Sequence, residues 1–260
     1  MMRTYGLIGF PLGHSFSKDF FSKKFQELGL IDHKYELYPL ENLRELETLI
    51  EQTPDLKGLN VTIPYKIGVL YYLDWISDEA KAVDAVNCIK IVKKDPLDGL
   101  FSGALKLGGV ELEGYNTDVY GFEMSLKPCL RKQHTSALVL GSGGASRAVC
   151  YVLKKLNIAY KLVSRKPMPN QLTYADLSPS MIEQYKLIIN TTPLGMAPDI
   201  EKAPSIPYGH IGEEHLLYDL IYNPRITSFL RQGEAQGASI KNGLEMLELQ
   251  AEKSWDIWQS

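Results

Sequence analysis

Apolar positions along this chain recur at two spacings, and the two spacings take turns. In TYGLIGF (residues 4–10) and GLNVT (58–62), apolar and small residues run in short β-favouring stretches, the pattern of strands. In KDFFSKKFQELGL (18–30) they return at helical spacing, with Phe20, Phe21, Phe25 and Leu28 on one face. ENLRELETLIEQ (41–52) is amphipathic in the same sense. HKYELYPL (33–40) predicts a strand, KIGVLYYLDW (66–75) a helix and NCIKIVKK (87–94) another strand. Residues 94–114 are richer in glycine and less periodic, and read as a hairpin or loop ending in a short strand. A second alternating series follows: helix (120–130), strand SALVLG (136–141), helix (145–157), and strands at 159–164, 185–192 and 216–222. Helices over 226–237 and 243–259 close it. There is no internal repeat.

This alternation predicts an α/β protein, with mostly parallel sheets covered by helices, in two α/β units joined near residue 114. The composition agrees. Hydrophobic residues make up 45% of the 260 and charged residues 23%, an ordinary globular mix with enough apolar material for a core. The net charge of -3 and the lack of any basic run exclude a polyanion partner such as nucleic acid. Cys88, Cys129 and Cys150 are widely spaced, without CxxC. That argues against a disulfide scaffold and against a metal site, and suits reduced thiols in a cytoplasmic protein. No run approaches the ~18 apolar residues of a membrane span, and MMRTYGLIGF lacks the apolar stretch of a signal peptide. Monomer and homodimer both remain open.

The most legible chemistry is LVLGSGGASRAV (138–149). A strand ends in Gly141, Ser142, Gly143 and Gly144, and a helix starts at once at Ala145. Glycines let backbone N–H groups close on a pyrophosphate, and the helix N-terminus adds favourable partial charge. Ser146 stands where a third glycine would complete GxGxxG. At the end of the next strand, where NAD binders carry a carboxylate for the ribose, this chain has Ser164, Arg165 and Lys166. Arg165 offers a planar fork matched to a phosphate, so NADP is the expected cofactor.

Polar groups also gather at the ends of other strands. GLNVTIPYK (58–66) puts Asn60, Thr62 and Lys66 beside a buried run; PLGHSFS brings Ser15 and Ser17, with His14 beside them; AVNC brings Asn87; GYNTDVYGF brings Asn116 and Asp118 just before a helix. Singly, Ser15 or Ser17, and Asn116 or Asp118, are ordinary helix caps. Together they furnish an acid/base pair, Lys66 and Asp118, after strand ends in both halves, where open α/β sheets bind ligands. Asn60 and Thr62 share one strand face by the two-residue period, Thr62 in reach of a ligand and Asn60 bracing the turn.

These segments, in order, resemble the shikimate dehydrogenase family. GFPLGHSFS is similar to its Ser-x-Ser signature, NVTIPYK to NVTxPxK, AVNC to AVNT, GYNTDVYGF to NTDxxG, and GSGGASRA to GxGGAxRA. NTTPLGM, YDLIYNPRIT and NGLEMLELQA resemble its later motifs. The resemblance implies two domains: 1–113 with the C-terminal helix 241–260 for substrate binding and catalysis, and 114–240 as a Rossmann-like NADP-binding domain, with the C-terminal helix returning to the first domain and the cleft between them. It implies that Ser15 and Ser17 bind the substrate carboxylate, that Thr62, Asn87, Tyr222 and Gln250 bond its carboxylate or ring hydroxyls, and that Lys66 and Asp118, which also meets the substrate, form the catalytic pair. It assigns the pyrophosphate to Gly141, Ser142, Gly143, Gly144 and Ala145, and the adenosine phosphate to Ser164, Arg165 and Lys166. Thr191, Leu220, Gly243, Met246 and Asp78 fall at the remaining cofactor positions.

The implied reaction is reversible reduction of 3-dehydroshikimate to shikimate, in aromatic amino acid biosynthesis through chorismate. Lys66 would act as general acid in this direction and as general base in the reverse. The chain departs from the family pattern at Lys18 (usually proline), Asp84 and Cys88 (usually glycine and threonine), Glu245 (often glycine) and the longer 94–114 segment. None of these removes a group from the chemistry. The alternatives are a dual quinate/shikimate dehydrogenase and a non-catalytic NADP-binding sensor of the same fold.

Overall fold

The computed structural model describes residues 2–13, 15–93, 109–166, 169 and 171–260. His14 and the greater part of the glycine-rich segment, 94–108, lie outside the described residues. The chain forms two compact units, Met1–Thr117 with Ala251–Ser260, and Asp118–Gln250.

The first unit contains β1 (Arg3–Gly9), α1 (Phe16–Glu27), β2 (His33–Pro39), α2 (Glu45–Gln52), β3 (Leu56–Val61), β4 (Trp75–Ile76), α3 (Asp78–Val83), β5 (Cys88–Lys93) and β6 (Val110–Tyr115). Its sheet runs β2-β1-β3-β5-β6-β4. β1 is parallel to β2 and β3, and β4 to β6, while β5 is antiparallel to both neighbours. The strand period sorts the core onto two faces. Ile8, Leu59, Val61 and Ile89 pack with Leu46, Ile50 and Val69 on one side. Tyr5, Leu7 and Cys88 pack with Phe21, Phe25, Tyr35, Ala251 and Trp258 on the other.

Trp258 belongs to the last helix, α8 (Leu244–Gln259), whose final residues, from Ala251, fall in the first unit. Its indole stacks on Tyr5 at 4.9 Å and its Nε1 donates to the Ile89 carbonyl at 3.0 Å. A buried aromatic of this size contributes roughly 1.5–3 kcal/mol, enough to hold the returning segment.

Two local expectations change. KIGVLYYLDW is not an α-helix. It makes a 3-10 turn, Gly68–Tyr72, and then an edge strand. The Asp74 N–H is taken by the Leu112 carbonyl at 3.0 Å, and the Asp74 carboxylate accepts from Leu112 N–H at 2.9 Å. Capture by the sheet edge overrides helical spacing over so short a run. Conversely, α3 forms where no helix was expected: Ser77 caps it at the Ala80 N–H, and Asp78 and Glu79 occupy its first turn. It stops at Asp84, whose φ of 55° is the left-handed conformation that glycine adopts at no steric cost.

The second unit begins with α4 (Thr117–Leu126), which starts at the boundary, followed by β7 (Ser136–Leu140), α5 (Gly144–Lys155), β8 (Ala159–Ser164), β9 (Leu172–Thr173), α6 (Pro179–Gln184), β10 (Leu187–Asn190), β11 (Leu216–Asp219), α7 (Ser228–Glu234) and β12 (Ser239–Lys241). Its strands lie in the order β12-β11-β10-β7-β8-β9, and every recorded pairing is parallel. Counted within the unit this is 6-5-4-1-2-3, the doubly wound order of dinucleotide-binding sheets. Leu138, Leu140, Ile188 and Leu217 are buried among Ile182, Phe229 and Leu230. Among the described residues, no helix is long and apolar enough to cross a membrane.

Candidate functional site

The order of strands in the first sheet reverses at β1, with β2 added on one side and β3 on the other, so a crevice is expected outside the carboxyl ends of β1 and β3. The loops after these strands are laced together: Phe10 N–H donates to the Ile63 carbonyl at 3.1 Å, and Thr62 N–H to that of Ile8 at 2.9 Å. Both loops contain a cis proline bond, Phe10–Pro11 and Ile63–Pro64. Because β5 is antiparallel, its first residues come to the same end. Val61 N–H donates to the Asn87 carbonyl at 2.8 Å, Val86 N–H to that of Lys66 at 2.8 Å, and Asn87 N–H to that of Tyr115 at 3.1 Å. Thr62, Lys66, Asn87, Asn116 and Thr117 thus stand on neighbouring strand ends.

Ser15 sits at the N-cap of α1, but its side chain makes no capping bond. Ser17 is buried. Burial pushes the Tyr35 phenol well above its ordinary pKa, and the hydrogen bond from Ser17 works the other way. Tyr35 donates to Asn60 Oδ1 at 2.8 Å, and Asn60 Nδ2 donates to Ser254 Oγ at 2.9 Å. Asn60 therefore braces the returning helix in a buried polar network. Asn116 Nδ2 donates to the Ala85 carbonyl at 2.9 Å. Lys18, in place of the family's proline, pairs with Glu36 at 3.0 Å with both side chains substantially exposed.

In the second unit, Asp118 is buried in the first turn of α4. α8 crosses α4 at Gly121, where a side chain would strike the Met246 carbonyl oxygen at 2.4 Å and Gln250 Cβ at 3.0 Å. That crossing brings Met246 and Gln250 to the helix that carries Asp118. Tyr222 lies in the loop after β11. The Asp219 carboxylate ends that strand, accepting from Thr227 Oγ1 at 2.6 Å, from Asn190 Nδ2 at 3.0 Å and from Ile221 N–H at 3.0 Å. Burial nonetheless pushes its pKa up to about 6.

The second sheet reverses between β7 and β10, and the glycine turn sits there. Gly141 has φ of +110°, and any Cβ would meet Thr191 Oγ1 at 2.6 Å, so glycine is required on both counts. Thr191 Oγ1 donates to the Leu140 carbonyl at 2.8 Å, tying the two strand ends. Ser146, at the missing glycine, turns back to the Gly143 carbonyl at 2.6 Å. A cavity of about 360 Å³ is lined by Gly141, Ser142, Gly143, Ser164, Arg165 and Thr191, among others. A second, of about 530 Å³, shares Ser142, Ser164 and Arg165 with it and adds Arg147 and Lys166. No carboxylate is among the described residues lining either one. Such a basic concavity at a helix N-terminus fits a dinucleotide carrying an extra phosphate.

Leu220 and Gly243 also meet: a Cβ on Gly243 would lie 2.0 Å from the Leu220 carbonyl oxygen, and Gly243 N–H donates to the Ile221 carbonyl at 3.1 Å. Asp78 is the remaining position expected to meet the cofactor. It opens α3 in the first unit, fully exposed, and pairs with Lys81 at 3.5 Å. Among the described residues no group of His, Cys, Asp and Glu could hold a metal ion. The cysteines are free, and burial pushes Cys88 up to about 12 and Cys150 up to about 11, which makes both poor nucleophiles.

Sequence reasoning passed over Thr117, Ser254 and Asp219. Thr117 and Asp219 lie inside motifs already singled out, but Ser254 sits in an ordinary amphipathic helix with no local signal.

Residues 7–89 match the family model described as the shikimate dehydrogenase substrate binding domain. A shikimate dehydrogenase (NADP(+)) of Clostridium beijerinckii is 39% identical, over 99% of this chain and 92% of that protein. A chorismate mutase/shikimate 5-dehydrogenase fusion protein from Clostridium acetobutylicum superimposes with TM-score 0.81 at 33% identity, over 99% of this chain and 91% of that one. The shikimate 5-dehydrogenase of Thermus thermophilus, solved in complex with NADP(H) and shikimate, gives TM-score 0.81 at 28% identity, over 99% and 93%.

Proposed function

Because this chain belongs to the shikimate dehydrogenase family, we propose that it interconverts 3-dehydroshikimate and shikimate with NADP(H), as a step of aromatic amino acid biosynthesis. One observation carries the reading: Thr62, Lys66 and Asn87 are brought to one end of the first sheet by backbone bonds among β3, β5 and the loop after β3. The basic cavities beside Gly141 and Arg165 supply the phosphate recognition that NADP needs.

Bound NADPH supplies the hydride. Ser15 and Ser17 hold the substrate carboxylate by their hydroxyls. Thr62, Asn87, Tyr222 and Gln250 hydrogen-bond the ring substituents and so orient the ring. The Lys66 ammonium gives a proton to the carbonyl oxygen as negative charge develops there, and recovers it in the reverse direction. Asp118 is its acidic partner and a further ligand for a ring hydroxyl. Arg165 and Lys166 hold the adenosine phosphate, Gly141 to Ala145 the pyrophosphate, and Thr191, Leu220, Gly243 and Met246 flank the rest of the cofactor.

The test is absorbance at the nicotinamide band with the purified chain, pairing shikimate or quinate with NADP⁺ or NAD⁺. Turnover of shikimate with NADP⁺, well above the other three combinations, is the expected result. Comparable rates on quinate would replace the reading with a dual-specificity enzyme. No turnover with any pair, despite NADP⁺ binding, would make the chain a cofactor sensor.

A further inference from the structure

Ser254 is fully buried in the first unit, on the part of α8 that returns there. Its hydroxyl receives Asn60 Nδ2 at 2.9 Å and lies 3.2 Å from Thr117 Oγ1. Thr117 Oγ1 in turn donates to Asn87 Oδ1 at 3.2 Å, and Thr117 N–H donates to the same oxygen at 2.7 Å. A backbone N–H can only donate, so the atom it meets on Asn87 is the amide oxygen. Ser254 Oγ accepts from Asn60 and shares a bond with Thr117 Oγ1 in which either hydroxyl can give the proton. Upstream, Tyr35 donates to Asn60 Oδ1, so the bonds are continuous from Tyr35 to Asn87.

We propose that Ser254 is a positioning residue for the substrate: it holds Thr117, and through it the Asn87 amide, in the one sense that offers the ligand a donor. Thr117 directly precedes Asp118 in the chain. Ser254 also stands four residues after Gln250 on α8, one helical turn along the same face. A helix that docks only through its aromatic residues would tolerate a slide or a small rotation. The hydroxyl at Ser254 restricts that freedom, because displacing its oxygen breaks its buried bonds to Asn60 and Thr117. The inference rests on the functional reading above, in which Asn87 touches substrate.

Steady-state kinetics of Ser254→Ala, Thr117→Val and the double variant test it, with shikimate and NADP⁺ varied separately and melting temperature followed. Losing one buried bond should raise the KM for shikimate about 10-fold, with kcat within about threefold. The KM for NADP⁺ should stay at its wild-type value. The double variant should be no worse than the worse single, since both cut one chain. Ser254→Cys, which keeps a weak donor and acceptor, should fall between wild type and Ser254→Ala and serves if the alanine variant does not fold. An unchanged KM for shikimate, a parallel loss in kcat and both KM values, or effects that multiply in the double variant would each overturn the proposal. Absence of shikimate turnover in the wild type overturns the functional reading and this inference with it; wild-type turnover with an unaltered variant KM overturns this inference alone.

Discussion

Thr117 gives its backbone N–H to the side-chain oxygen of Asn87 at 2.7 Å. This bond joins the end of β6, before α4, to the start of β5, and it fixes which half of the Asn87 amide is the acceptor. Asn87→Asp keeps the acceptor that Thr117 needs and replaces the donor by a second carboxylate oxygen. The fold should survive, while the KM for shikimate should rise about 100-fold from a lost donor and a new repulsion. Circular dichroism together with steady-state kinetics checks both halves of this expectation.

Lys66→Ala should lower turnover by about 100-fold or more while changing the KM for shikimate only modestly, because a proton donor acts chiefly in the transition state. Turnover that holds while KM alone rises would assign Lys66 to binding and not to acid/base chemistry.

Arg165→Ala with Lys166→Ala removes the two cations that follow β8. The kcat/KM with NADP⁺ should fall by about 100-fold or more, whereas that with NAD⁺, which lacks the phosphate, should hold or improve. Equal losses with both cofactors would mean that these side chains support the loop and not the phosphate.

Gly243→Ala places a methyl group 2.0 Å from the Leu220 carbonyl oxygen, a backbone atom that cannot swing aside. The start of α8 and the loop after β11 must then separate. A loss of about 1–3 kcal/mol in stability is expected, together with a raised KM for NADP⁺. Urea titration and cofactor kinetics measure the two effects.

Asp219 should make stability depend on pH in the sense opposite to a salt-bridged carboxylate. Its folded pKa is raised to about 6 by burial, against about 3.9 in an unfolded chain. Its contribution is full below about pH 4 and is lost as pH rises through about 6, amounting to about 3 kcal/mol at most. Asp219→Asn should remove this fall. Denaturant midpoints for both proteins between pH 4 and 7 would show it as a difference in slope; equal slopes would mean that the three donors to the carboxylate outweigh its burial.

Strand AYKLVS (159–164), the helix after Gly143 and the strand–glycine–helix context were legible because each follows from neighbours within a few residues: spacing, a turn that needs glycine, a helix that begins where the strand stops. The same locality explains the misreading of KIGVLYYLDW. Its apolar spacing suits a helix, but Asp74 is claimed by Leu112, which lies 38 positions away. The helix at Asp78–Val83 was not expected, although it carried a local signal in its Ser77 cap.

For the candidate site, the sequence by itself determined which chemical groups exist and near which strand ends they fall: Ser15, Thr62, Lys66 and Asn87 in the first unit, and Asp118, Gly141, Arg165 and Thr191 in the second. It also supplied the cation at Arg165 on which the proposed phosphate contact rests, because residue type alone sets that charge. Only the tertiary structure decided that β5 runs antiparallel, and hence that Asn87 lies beside Lys66 and Thr62. Only the tertiary structure recruited Ser254 to Asn60 and Thr117, across 194 and 137 positions of chain. The physical reason is that periodicity and turn chemistry are local energies, while the direction of a strand and the partner of a buried hydroxyl are settled by which arrangement leaves no polar group unpaired in the core.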